Sequence, residues 1–230
     1  MDLQGFGHLL ISGTWVTIQL ALASLVVGLV FGLSGAAAKL SKNRFARWLA
    51  TGYTTLVRGL PELLLVLTIY FGGSQLLMWI ASSFGYDDYI EIGPFVAGVA
   101  ALSIAFGAYA TEVFRMAMME IPDGQWESGL ACGMSTRRTF FRIILPQVWR
   151  LAIPGLGNLF QVLLKDTALV SVVGLNDIMR QSQVAISATK EPFTFFMVAA
   201  CIYLLLTAAT TGFTMFMERL ANPAARESRR

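Results

Sequence analysis

Charge is what this sequence has least of. Asp, Glu, Lys and Arg make up 13% of its 230 residues, against about 25% in ordinary soluble domains. The shortage is also uneven. No charged residue stands between Asp2 and Lys39, a gap of 36 residues, and further gaps cover 63–86, 92–111 and 192–217 with 24, 20 and 26 residues. A hydrocarbon layer about 30 Å thick takes around 20 helical residues to cross. Each gap is long enough for a membrane span, and the 56% of residues that are apolar supply the side chains. A soluble globular fold is excluded.

Other scarcities narrow the chemistry. There is one histidine, His8, and two cysteines, Cys132 and Cys201, far apart in the chain. Neither metal-ligand spacing nor a disulfide framework is present, so no metal site and no catalytic residues are expected. No Gly-x-x-x-x-Gly-Lys-Ser/Thr occurs, so the chain has no phosphate-cradling loop of its own and no nucleotide cofactor is expected on it. A net charge of +3 is too small to imply nucleic acid. Met1–Asp2 carries no basic n-region, and the apolar run behind it is too long for a cleaved leader. It reads as a retained helix.

The expected fold is an all-α integral membrane protein, one domain over 1–230, with five transmembrane helices at about 9–38, 52–80, 94–116, 151–176 and 193–217. The second is broken early by Gly59–Leu60–Pro61, and the fourth is interrupted by the pair Lys165–Asp166. Five spans put the termini on opposite sides. Lys39, Lys42, Arg44, Arg47, Arg115, Arg137, Arg138, Arg142, Arg150, Arg219, Arg226, Arg229 and Arg230 all fall on one side, 13 of 17 basic residues. The opposite side holds Arg180 and Lys190, with Asp87, Asp88 and Glu91 nearby. Because basic loops stay cytoplasmic, the N-terminus is expected outside and the C-terminus inside. A four-span reading would place the basic tail outside, against this count.

The longest polar segment, about 118–150, carries the most specific signal. A Pro122–Asp123–Gly124 turn opens it, with Asp123 or Gly124 placed to cap a helix and Glu127 suited to its dipole. A short helix, Gly133, and a second helical stretch from Thr139 to Pro146 then make a compact cytoplasmic projection. Connections of this length are usually functional, although an ordinary connecting loop is the plainer alternative.

Here the residues carry a resemblance. Glu127, Gly133, Ile143, Leu145 and Pro146 resemble the EAA signature of binding-protein-dependent ABC importer permeases: Glu-Ala-Ala, three residues, Gly, nine residues, Ile-x-Leu-Pro. Ser128–Gly129 depart from it, standing where the signature has two alanines, and glycine loosens a helix by roughly 1 kcal/mol relative to alanine. Leu56-Val-Arg-Gly-Leu-Pro-Glu62, Gly107-Ala-Tyr-Ala-Thr-Glu-Val-Phe-Arg115 and Leu164-Lys-Asp-Thr-Ala-Leu169 are similar to stretches of the polar amino acid permeases. Gln125–Gly129, Pro146–Trp149 and Tyr70-Phe-Gly look most like the Q-type permeases of arginine importers, with the histidine/lysine/arginine/ornithine group next. The resemblance covers about residues 10–217.

The resemblance implies a type I ABC importer permease architecture in a bacterial inner membrane. Its cytoplasmic coupling helix would dock in an ATPase through Gln125, Trp126, Glu127, Ser128, Gly129, Gly133 and Arg137. ATP and Mg would sit in that separate ATPase dimer. The implied partners are a second permease chain (M-type in a heterodimer, or a second copy) and an external amino acid-binding protein, with membrane lipid around them. The implied cargo is a polar amino acid, arginine favoured. This chain is then no enzyme itself.

Ionisable groups at membrane depth usually face protein or water. Glu62, just past the Gly59–Pro61 break, either shapes the translocation path or pairs with Arg58 four residues before it. Glu112, after Tyr109, either offsets the charge of a cationic substrate or pairs with Arg115. Lys165 and Asp166 point about 100° apart on a helix, so each needs its own partner, in a structural network or on a substrate. Gly28 and Gly32 form a Gly-xxx-Gly pair that favours close helix approach. An ion-coupled secondary transporter or channel, needing no ATPase, remains the alternative; a membrane enzyme is weakened by the missing catalytic constellation.

Overall fold

The computed structural model describes residues 5–83 and 92–221. The acidic stretch 84–91 and the tail residues Arg226, Arg229 and Arg230 used above for sidedness lie outside them. Every regular element among the described residues is helical. We number them α1 (Gly7–Leu40), α2 (Arg44–Arg58), α3 (Glu62–Ser83), α4 (Pro94–Met119), α5 (Asp123–Ala131), α6 (Thr136–Val173), α7 (Ile178–Thr189) and α8 (Pro192–Ala221). Five of these, α1, α3, α4, α6 and α8, are long and apolar enough to cross a bilayer.

The helices depart most from the sequence reading in two starts and one expected interruption. The second span starts at Glu62, ten residues later than expected, because Gly59–Leu60–Pro61 ends α2 outright. Pro61 has extended backbone and no N–H to continue a helix. The fourth span begins at Thr136, not near 151: the helical stretch after Gly133 runs straight into it through a π-helical segment, Phe140–Ile144. Lys165–Asp166 do not interrupt that span either. The α-helix continues through Asp166 and tightens into a 3-10 helix over Thr167–Val173.

The core is built by α1, α4 and α6, around Leu20, Leu102, Phe106, Ile144 and Val170. A Cβ at Gly28 would lie 2.7 Å from Phe106, and one at Gly32 2.7 Å from the Cβ of Ala110. The two helices therefore touch backbone to side chain along the Gly-xxx-Gly face. The register advances together on both, so α1 and α4 are parallel, as the first and third of five alternating spans must be. By contrast only 11% of the apolar windows of α3 and of α8 is buried within this chain.

Candidate functional site

Pro61 ends one helix and starts the next, which places Glu62 in the first turn of α3. Tyr109 on α4 reaches it, its hydroxyl donating to Glu62 Oε1 at 3.4 Å. Asp166 arrives from α6, at the turn where that helix tightens. Glu62, Tyr109 and Asp166 line one narrow cleft, walled otherwise by Leu102, Phe106, Leu159, Leu163 and their apolar neighbours. The guanidinium of Arg58 lies 5.3 Å from the centre of the Tyr109 ring, a cation–π distance. Among the described residues neither Glu62 nor Asp166 is in an ion pair, so Arg58 contacts Tyr109 rather than pairing with Glu62.

Two of the other residues singled out from the sequence stand apart from this cleft. Lys165 is exposed and does not line it. Glu112 sits toward the end of α4, where Oε1 accepts from Lys39 and Oε2 from Arg115 Nε at 2.8 Å. Arg115 was visible as an i,i+3 neighbour. Lys39, 73 positions away, was not, because nothing in the sequence declares that α1 and α4 pack side by side.

The polar segment 118–150 resolves into two faces. Pro122, not Asp123 or Gly124, occupies the cap position of α5. Gln125, Trp126 and Gly129 face α6. Gln147 donates to Gln125 Oε1 at 3.1 Å, the Trp126 and Phe140 rings stack at 6.2 Å, and Gly129 is buried against Thr139. A Cβ at Gly129 would lie 2.7 Å from Thr139 Oγ1. The departure from the EAA signature is therefore a fit, not a weakness: glycine makes room for threonine ten residues on. That signal was missed because Thr139 lies outside the signature's anchors.

Gly133 holds φ +74°, a conformation that side chains with a Cβ pay about 1–2 kcal/mol to adopt. Gly133 N–H and Met134 N–H donate back to Leu130 and Gly129 carbonyls, the Schellman closure of a helix end. Glu127 and Ser128 on α5, with Arg137 beyond it, are exposed. Arg137 lies over the Phe141 ring at 6.0 Å.

A third polar group was not anticipated. Asp177 is fully buried between α6 and α7, where Oδ1 accepts from Arg180 N–H at 2.9 Å. Its Oδ2 is buried with no hydrogen-bond partner among the described residues. Burial pushes the carboxyl up to about 6.

Known proteins resemble this chain over most of its length. The sequence profile described as "Binding-protein-dependent transport system inner membrane component" matches residues 24–222. The chain is 45% identical over 217 residues to the histidine/lysine/arginine/ornithine transport system permease protein HisQ of Salmonella typhimurium, covering 94% of this chain and 95% of the relative. It is 44% identical over 210 residues to the arginine ABC transporter permease protein ArtQ of Escherichia coli K12, covering 86% and 88%. A solved amino acid ABC transporter, crystallised with histidines, superposes with a TM-score of 0.80 at 32% identity, covering 95% of this chain and 98% of that one.

Proposed function

The chain belongs to the family of inner membrane components of binding-protein-dependent transport systems, and from that premise we propose that it carries polar amino acids, cationic ones above all, through an ABC importer. The observation that carries the cationic reading is the cleft: two carboxylates, Glu62 and Asp166, meet Tyr109 between apolar walls. A guanidinium or ammonium group loses hydration on entering such a place, and a carboxylate offsets that loss because attraction strengthens where water is scarce. Arginine, whose planar fork matches a carboxylate in two hydrogen bonds, is the favoured cargo. The names of the relatives, which include arginine in both, support it.

Transport is coupled through α5. We place the N-terminus outside and the C-terminus in the cytoplasm, on the count of basic residues. The exposed face of α5, with Glu127, Ser128 and the nearby Arg137, then meets a separate ATPase dimer that holds ATP and Mg. Closure of that dimer moves α5. Its inner face is keyed to α6 by Gln125, Trp126 and Gly129, and the α6 helix that begins three residues past Gly133 carries Asp166 near its other end. The same helix thus joins the ATPase contact to the cleft. ATP binding shifts the population between inward- and outward-open forms. The sparsely buried faces of α3 and α8 are assigned to a second permease chain of M-type, with an external binding protein delivering cargo.

Uptake by the reconstituted complex tests this. Glu62→Gln and Asp166→Asn each remove one charge-assisted contact, and each is expected to raise the KM for arginine roughly 10- to 100-fold while ATP hydrolysis without substrate stays intact. Competition among arginine, lysine, ornithine and histidine ranks the cargo. Unchanged arginine KM in both variants would overturn the cleft assignment.

A further inference from the structure

The segment that follows α1 does not fold as part of a span. Lys42, Arg44 and Arg47 come directly after the end of α1, and Asn43 caps α2 by accepting from Phe45 N–H at 2.9 Å. At about 100° per residue, α2 has three faces. Ala50 and Thr54 are buried, with Tyr53 donating to the Ile104 carbonyl at 2.7 Å, and this face holds the helix against α4. Phe45, Trp48, Leu49 and Leu56 form a second face that is open, 65%, 70%, 49% and 70% exposed. Arg44, Arg47 and Arg58 occupy the third, also exposed. The Phe45 and Trp48 rings stack at 6.2 Å and 26°, so the aromatic pair forms a flat plate beside the arginines. Among the described residues no carboxylate pairs with Lys42, Arg44 or Arg47.

We propose that α2 is a binding site for anionic phospholipid, with the headgroup phosphate held by Lys42, Arg44 and Arg47 and the acyl chains lying on Phe45, Trp48, Leu49 and Leu56. Three arguments select lipid. An amphipathic helix with aromatic and leucine residues on one side and arginines on the next matches the boundary between acyl chains and headgroups. Aromatic rings collect at that depth. A basic cluster directly beyond the end of a transmembrane helix meets anionic headgroups, and guanidinium groups bind phosphate in two hydrogen bonds.

The test is native mass spectrometry of the full-length chain released from vesicles holding phosphatidylglycerol and phosphatidylcholine in equal amounts. The wild-type chain is expected to retain phosphatidylglycerol preferentially, and less of it as salt rises. Lys42→Gln/Arg44→Gln/Arg47→Gln, all at exposed positions, is expected to lower that preference tenfold or more, on the order of the loss of three surface cations, with helix content unchanged. Trp48→Cys in the assembled complex should cross-link to no other chain. Equal retention of the two lipids by the wild type, unchanged retention in the triple variant, or a protein cross-link at Trp48→Cys would each overturn the proposal.

Discussion

Replacing Gly129 by alanine isolates the joint through which the proposed coupling passes. The added methyl would sit 2.7 Å from Thr139 Oγ1 and 3.1 Å from its Cβ, well inside normal contact. Thr139 is fully buried and its hydroxyl has no hydrogen-bond partner among the described residues, so it has no open space to swing into. Overpacking of this kind costs about 1–3 kcal/mol. Alanine returns about 1 kcal/mol of helix preference, leaving Gly129→Ala roughly 0–2 kcal/mol less stable. Thr139→Ala alone should be mild, because it removes an unpaired buried hydroxyl. The double variant should relieve the clash and keep the helix gain, giving a coupling energy of about 1–3 kcal/mol between the sites. Hydrogen exchange over residues 123–139 in the assembled complex reads the local opening energy, and ATP-dependent uptake should fall and recover with it. Additivity of the two single variants within about 0.5 kcal/mol would refute the reasoning.

Two further outcomes follow from groups outside the cleft. Asp177 sits at about 6 because it is buried, above its unfolded value near 4, so its neutral form is favoured in the fold. Its ionisation therefore removes stability as pH rises from about 4 through 6, up to about 3 kcal/mol. Asp177→Asn keeps the cap acceptor and should flatten that dependence and raise thermal stability at neutral pH; parallel melting curves from pH 4.5 to 7.5 would contradict it. Glu112→Gln leaves Lys39 and Arg115 facing each other without their carboxylate, in a pair whose side chains are 12% and 15% exposed on the Lys39 side. A loss of about 3 kcal/mol is expected, with the arginine KM unchanged; a tenfold rise in KM at intact stability would return Glu112 to the path.

Much of the fold was legible because membrane insertion is written in composition. Runs without charge mark the spans, and the Gly59–Leu60–Pro61 break that ends α2 is a local signal. The EAA anchors were legible for the same reason, since Gly133 needs its positive φ through backbone sterics alone. What failed was inference about continuity. Lys165–Asp166 read as an interruption because charge is costly in lipid, yet Asp166 faces a cleft within the protein and the helix passes through it. Glu112 and Glu62 looked alike from the sequence, two carboxylates near tyrosine or proline; only one lines the cleft.

By itself the sequence determined that the chain is helical and membrane-spanning, how many times it is able to cross, and which segment carries the EAA resemblance. These properties depend on hydration and on local backbone preference, which act residue by residue. The tertiary structure decided which carboxylate meets which neighbour. It joined Lys39 to Glu112 and brought Glu62, Tyr109 and Asp166 to one place, and it turned the glycine of the EAA segment into a seat for Thr139. Those contacts depend on the parallel packing of α1 on α4 and on the path of α6. Packing of that kind is set by shape complementarity between distant segments, which no local pattern records.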